Sequence, residues 1–200
     1  MPEERAGLFI VLEGIDGSGK TLHSKLLHKK LVQEGERAAL TMEPSRGEVG
    51  RLIRGLIADR KKKSAMIETL LFTADRLDHL SCEIEPLLRK GTTVVCDRYY
   101  YSTLAYQGAQ GVDLDLIRSL NRFARKPDLS FYLDVPPEVA LARMARRRSI
   151  FESRSLLERV REIYLDLVRE GDLILVDSSG LVDGVSDKIL SHTLKRLRPP

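Results

Sequence analysis

Eight consecutive residues, Gly14-Ile15-Asp16-Gly17-Ser18-Gly19-Lys20-Thr21, constrain this chain more than any other feature. They fit G-x-x-x-x-G-K-[ST] without a gap. The apolar run at 8–12 reads as a buried strand, and the stretch at 20–34 reads as a helix. The loop needs both neighbours. Its glycines let backbone N–H groups curl around phosphate oxygens, and the helix that follows aims its positive end at the same anion. Lys20 is then placed to reach the β- and γ-phosphates of a nucleotide, and the Thr21 hydroxyl to join a Mg²⁺ shell.

A strand–loop–helix opening predicts an α/β fold, and the rest of the chain keeps that rhythm. Further strands are expected at 37–42, 92–96, 129–135 and 173–176, and helices at 50–58, 65–89, 113–125, 138–148, 156–170 and 185–197. Short, near-continuous apolar strands that alternate with amphipathic helices imply a parallel sheet of about five strands, covered by helices on both faces. The expected architecture is a three-layer α/β P-loop fold, one domain over residues 1–200.

Composition narrows the partners. Apolar residues make up 42% and charged residues 31%, which excludes a disordered chain. No apolar run approaches the roughly 18 residues of a membrane helix, so no membrane partner is expected. The net charge of +4 is too small to predict nucleic-acid binding. Two cysteines, Cys82 and Cys96, do not make a disulfide framework, and two glutamates precede the first apolar run where a signal peptide would carry cations. A cytoplasmic location is expected.

Ligands of parallel sheets gather at the carboxyl ends of strands. Three such ends carry polar residues: 13–21, 43–46 and 97–98. Asp97 can supply a metal-binding acid after its strand, and Arg98 follows it directly, a cation that points to a second anion near the first. A base-reading N-K-x-D is absent, which sets switch GTPases aside. The block Asp97-Arg98-Tyr99, Ser102-Thr103, Ala105-Tyr106-Gln107-Gly108 reads D-R-Y-x-x-S-T-x-A-Y-Q-G. Together with the phosphate loop it resembles thymidylate kinases, P-loop enzymes that convert dTMP to dTDP. Glu43-Pro44-Ser45-Arg46-Gly47, Leu70-Leu71-Phe72-Thr73-Ala74-Asp75-Arg76 and Pro127-Asp128-Leu129 through Val135 resemble further segments of that family in the same order. The likeness spans roughly residues 8–177.

The resemblance implies transfer of the γ-phosphoryl of Mg-ATP to dTMP. It places Gly14 through Thr21 and Arg143 on ATP, and Thr21 and Asp97 near Mg²⁺. Arg46 and Arg98 would fork onto the acceptor phosphate, while Asp16 would face the acceptor's 3′-hydroxyl and phosphate. Phe72 and Arg76, four apart and so on one helix face, would stack on the thymine ring and meet its carbonyl edge. Ser102, Thr103, Tyr106 and Gln107 would close the other side. The arginines at 143–148 are expected on a short lid at about 143–154 that closes over ATP. Gly17 follows Asp16 where some family members carry an arginine, which resembles the members that rely on lid arginines. Ile150 stands where the family often has arginine, so Arg147 and Arg148 are the expected catalytic lid residues beside Lys20 and Arg98, with Arg154 a further candidate. A homodimer is expected from the family. Two rivals stand beside this reading: a deoxynucleoside kinase, which would need Glu13 or Asp97 as a base, and a nucleotide-binding module with little activity.

Overall fold

β1 (Phe9–Glu13) and β3 (Thr93–Asp97) are buried at every position. Side chains alternate across a strand, so burial of every one demands a layer on each face. Helices supply both layers. The computed structural model describes residues 6–58, 63–144 and 154–198. Along the chain, β1 is followed by α1 (Lys20–Gln33), β2 (Ala38–Met42), α2 (Glu48–Ala58), α3 (Ala65–His79), a π-helical turn (Leu80–Ile84) and α4 (Glu85–Arg89). After β3 come α5 (Tyr100–Ala109), α6 (Leu114–Leu120), β4 (Leu129–Asp134), α7 (Pro137–Met144), α8 (Arg154–Arg169), β5 (Ile174–Asp177) and α9 (Val182–Leu197).

The sheet has five parallel strands in the order β2-β3-β1-β4-β5. β1 lies between β3 and β4, so the strand order reverses there. That reversal opens a crevice at its carboxyl end, directly where the phosphate loop begins. Ile10 and Leu12 of β1 pack with Leu27 and Leu31 of α1 and with Val185 and Ile189 of α9. Phe9 and Val11, on the opposite face, pack with Leu80, Ile84 and Leu88. A third cluster joins Ile15 of the loop, Leu104 of α5, Tyr132 of β4 and the face of α8 formed by Leu157, Val160 and Tyr164. Among the described residues, no helix is long and apolar enough to cross a membrane.

The five expected strands form within a residue or two of their expected limits. Two helical expectations differ, and one helix is new. The stretch at 65–89 is interrupted by the π-helical turn, which ends just before Pro86. Proline has no N–H to donate to the carbonyl four residues back, and its ring clashes there, so a locally widened helix accommodates it. The stretch at 113–125 is helical only to Leu120, where Asn121 forms the cap. The helix α5 was not expected at all. Its start, Tyr99-Tyr100-Tyr101, has no local capping residue, and no side chain of the helix's own N-terminus caps it.

Candidate active site

The phosphate loop is held open by its glycines. Gly14 and Gly17 have φ of 147° and 83°. A Cβ at Gly14 would lie 2.7 Å from the Leu133 carbonyl oxygen, and one at Gly17 would lie 2.5 Å from that of Ala140. Only a residue without a side chain fits either place. The Ser18 N–H donates to the Ile15 carbonyl at 3.1 Å, closing the turn. α1 then starts at Lys20, with Gly19 in the left-handed conformation as its cap. The crevice beside this loop is a cleft of about 310 Å³ lined by Asp16, Lys20, Thr21, Glu43, Asp97 and Arg98, among others.

Two cations meet on one carboxylate in this cleft. Arg98 Nη2 pairs with Asp16 Oδ1, and Lys20 Nζ lies 3.8 Å from the same oxygen. The Arg98 guanidinium beside Asp16 holds its carboxyl below the usual range, against the opposing effect of burial. Lys20 is almost wholly buried and donates to the Ile15 carbonyl at 2.8 Å. Burial, followed by the Arg98 charge, pushes its ammonium pKa down to about 8. Asp16 thus serves as the local anion for both cations.

Arg98 is aimed by its backbone. It is the only residue other than glycine with positive φ among the described residues, at 73°. Such a conformation persists only where surrounding contacts over-determine it. Its Nη1 donates to Ser102 Oγ at 2.9 Å and to the Gly14 carbonyl at 3.4 Å, and its guanidinium lies 5.2 Å from the centre of the Tyr106 ring. The contact that fixes the turn comes from Glu13. This carboxylate is fully buried and accepts from the Tyr99 and Ser102 N–H groups at 2.8 and 3.2 Å, from the Ser102 hydroxyl at 2.6 Å and from the Tyr164 hydroxyl at 2.9 Å. Glu13 therefore caps α5 from the end of another strand. Burial raises its pKa, and the hydrogen bonds from Ser102, Tyr164 and Tyr99 pull it back.

Thr21 Oγ1 donates to Asp97 Oδ2 at 2.5 Å, while Asp97 Oδ1 is buried with no hydrogen-bond partner. An unpaired carboxylate oxygen beside a hydroxyl, at the foot of a phosphate loop, fits a hard divalent cation that takes its other ligands from phosphates and water. No group of three or more histidine, cysteine, aspartate or glutamate side chains that could hold a metal occurs among the described residues.

The loop after β2 is clamped from two helices. Asp75 of α3 accepts from the Ser45 N–H and hydroxyl at 2.7 and 2.6 Å. Arg76 pairs with Glu43, which precedes a cis bond to Pro44. From α2, Arg54 donates to the Pro44 and Ser45 carbonyls and Arg51 to that of Arg46. A Cβ on Gly50 would sit 2.0 Å from the Ser45 carbonyl oxygen, so α2 also packs directly on the loop backbone. With Arg51 and Arg54 turned onto carbonyls, Arg46 is left exposed at the loop's tip.

The remaining expected site residues divide. Tyr106 accepts from the Asp16 N–H at 3.0 Å, and Ser102 bridges Arg98 and Glu13, so both belong to the phosphate end. Phe72, Arg76, Thr103 and Gln107 do not line the 310 Å³ cleft. Phe72 is half-buried one turn before Arg76. Thr103 accepts from Arg76, and Gln107 donates to Glu68 at 3.1 Å. Arg143 reaches the Gly17 and Ser178 carbonyls at 3.4 and 3.0 Å. Arg147 and Arg148, with Arg146 and Ile150, lie outside the described residues.

Sequence reasoning gave no role to Asp75, Tyr164 or Ser178. Ser178 donates to the Ser18 carbonyl at 2.7 Å and follows β5. Its position at a strand's carboxyl end was the available signal.

Removing the Glu13 acceptors should be costly. Glu13→Ala strands four donors and is expected to lower the unfolding free energy by about 3 kcal/mol or more, read by urea denaturation. Glu13→Gln keeps the carbonyl oxygen for the two N–H groups and should cost less than half as much.

A thymidylate kinase family model matches residues 12–189. A protein named "Probable thymidylate kinase" from Methanocaldococcus jannaschii is 42% identical over 186 residues, covering 92% of this chain and 95% of that protein. One of the same name from Pyrobaculum aerophilum is 42% identical over 191 residues, covering 94% and 97%. Another from Staphylothermus marinus is 40% identical over 203 residues, covering 97% and 98%. A match of this extent, on a sheet that presents its phosphate loop and Asp97-Arg98 at one crevice, shows that the chain belongs to the thymidylate kinase family.

Proposed function

We propose that this chain transfers the γ-phosphoryl group of Mg-bound ATP to the phosphate of dTMP, giving ADP and dTDP. The observation that carries this reading is the meeting of Lys20 and Arg98 on one oxygen of Asp16. Two polyanions brought end to end need cations between them. Here one cation comes from the phosphate loop and the other from the end of β3. In this reading Lys20 reaches the donor's β- and γ-phosphates, and the amides of residues 14–21 hold the donor. Arg143 steadies that loop from α7, and Arg147 and Arg148 come over the donor from the stretch beyond. Arg98, with Arg46, receives the acceptor phosphate, and Asp16 is released toward the acceptor sugar.

Thr21 and Asp97 would hold the metal, which when bound spreads the developing charge on the transferred group. The acceptor needs no base, because a phosphate monoester with a second pKa of about 6 is mostly dianionic at neutral pH. A sugar-hydroxyl kinase would need one. Of the two carboxylates it could use, Glu13 already accepts four hydrogen bonds and Asp97 one. The full occupancy of Glu13 supports the phosphate acceptor, and in this reading the free Asp97 oxygen is kept for the metal. At the base end, Phe72 stacks on the ring, Arg76 meets its carbonyl edge, and Thr103 and Gln107 bound the pocket, while Ser102 and Tyr106 stay with Arg98 and Asp16 at the phosphate end. Rate enhancement then rests on positioning and charge neutralisation.

The expected homodimer has a surface available to it. α3 exposes Met66, Leu70 and Leu77 along one stripe, and α2, which packs against α3, exposes Leu52 and Ile57. A second copy on this face buries side chains that otherwise meet water. Sedimentation equilibrium should show a dimer that Leu70→Glu weakens at least about tenfold, since one buried charge without a partner costs several kcal/mol. A monomeric wild-type protein would exclude the dimer.

Coupled ADP production with dTMP, dUMP, dCMP, dGMP and thymidine tests the reaction itself. Turnover is expected with dTMP and not with thymidine, and Arg98→Ala should lower it by about 10³-fold with the fold intact. Turnover with thymidine alone would favour the sugar kinase. A second test uses Lys20. Its ammonium is fully charged only below its pKa of about 8. ATP affinity should therefore hold steady below that pH and weaken by up to about tenfold per pH unit above it, as binding takes up the missing proton. Lys20→Arg, whose cation does not titrate in this range, should flatten that dependence in calorimetric titrations.

A further inference from the structure

Asn121 is the only asparagine of the chain, and it sits buried at the C-terminal cap of α6. Its Nδ2 donates to the Ile117 carbonyl one turn back, at 2.8 Å. That bond fixes which way the amide faces. The opposite orientation would set an NH₂ group against a guanidinium, donor against donor. Oδ1 accepts from Arg76 Nη1 at 2.6 Å.

The donors of Arg76 can be counted. Nε and one Nη2 hydrogen go to Glu43 Oε2, at 3.0 and 2.8 Å. The other Nη2 hydrogen goes to Thr103 Oγ1 at 3.2 Å. One Nη1 hydrogen goes to Asn121. A guanidinium has five N–H groups, so a single Nη1–H has no acceptor among the described residues. Arg76 is 1% exposed, and its guanidinium lies 5.2 Å from the centre of the Tyr99 ring. A buried N–H without a protein acceptor is completed by water or by a ligand group.

Charge narrows what that ligand group is. The Glu43 carboxylate neutralises Arg76 within the buried pair, and Asn121 adds a hydrogen bond with no charge. A neutralised guanidinium with one N–H to offer suits a neutral carbonyl oxygen better than a dianionic phosphate. Arg46, exposed at the tip of the preceding loop, keeps its full charge for the phosphate. We propose that Asn121 is a specificity-determining positioning residue: by holding Arg76 Nη1, it aims the last N–H at a ring carbonyl and selects a 4-oxo over a 4-amino pyrimidine. The inference rests on the reading that Arg76 meets the acceptor base.

Steady-state kinetics with dTMP and dCMP test it. Asn121→Ala is expected to raise the KM for dTMP about tenfold, the loss of one well-placed hydrogen bond. The preference for dTMP over dCMP should fall with it, while the KM for ATP and kcat stay within about twofold. Unchanged KM and preference, or a parallel loss in kcat and in the KM for ATP, would overturn the proposal. Asn121→Asp keeps an acceptor on Arg76 but turns an oxygen onto the Ile117 carbonyl, so it should lose stability and still keep the preference for dTMP; loss of that preference in the folded variant would also overturn the proposal, whatever the stability of the alanine variant. Arg76→Lys separates the two levels. If it retains the wild-type preference, the base reading of Arg76 fails. If it loses that preference while Asn121→Ala retains it, only the role of Asn121 fails.

Discussion

The buried carboxylate of Glu13 is the contact on which the phosphate site depends. It ends β1, one residue before the phosphate loop, and accepts the first N–H groups of α5. A helix start without a local cap would leave those donors unmatched in the interior. Glu13 satisfies them and, in doing so, fixes the left-handed turn that aims Arg98 back over the loop. The Tyr164 hydroxyl ties α8 to the same carboxylate. One side chain therefore sets the relative positions of the loop that would hold the donor, the arginine that would meet the acceptor and the helix that follows the arginine-rich stretch. Burying an ionised group is expensive. Four hydrogen bonds and the nearby Arg98 charge offset that expense.

Charge is arranged in the same spirit. The excess of cations over the chain is only four, yet Lys20 and Arg98 converge within one cleft. Asp16 lies against both and offsets their mutual repulsion. Behind the cleft wall Arg76 is neutralised by Glu43, and Arg51 and Arg54 are turned onto backbone carbonyls. Arginines of similar sequence context thus fall into distinct classes: those that carry charge into the cleft, one whose charge is cancelled in a buried pair, and those that hold the scaffold.

The legible parts of the sequence were those whose cause is local. The phosphate loop needs glycines at fixed offsets between a strand and a helix, and each requirement lies within a dozen residues. The five strands announced themselves as apolar runs bounded by turns. α5 was not legible, because its cap lies 86 residues away and its own first residues are three tyrosines. The break in the helix at 65–89 was marked by Pro86, but a proline alone does not distinguish a stop from a π-helical turn.

The sequence by itself determined that this chain makes a parallel α/β sheet with a phosphate loop, and which family it resembles. Turn chemistry, side-chain period and motif spacing are properties of neighbours along the chain. Only the tertiary structure decided which side chains work together. Asp75 with Ser45, Arg76 with Asn121 and Tyr164 with Glu13 are separated by 30, 45 and 151 residues. Their pairing follows from strand order and helix packing, which bring distant polar groups into an interior where each must find a partner.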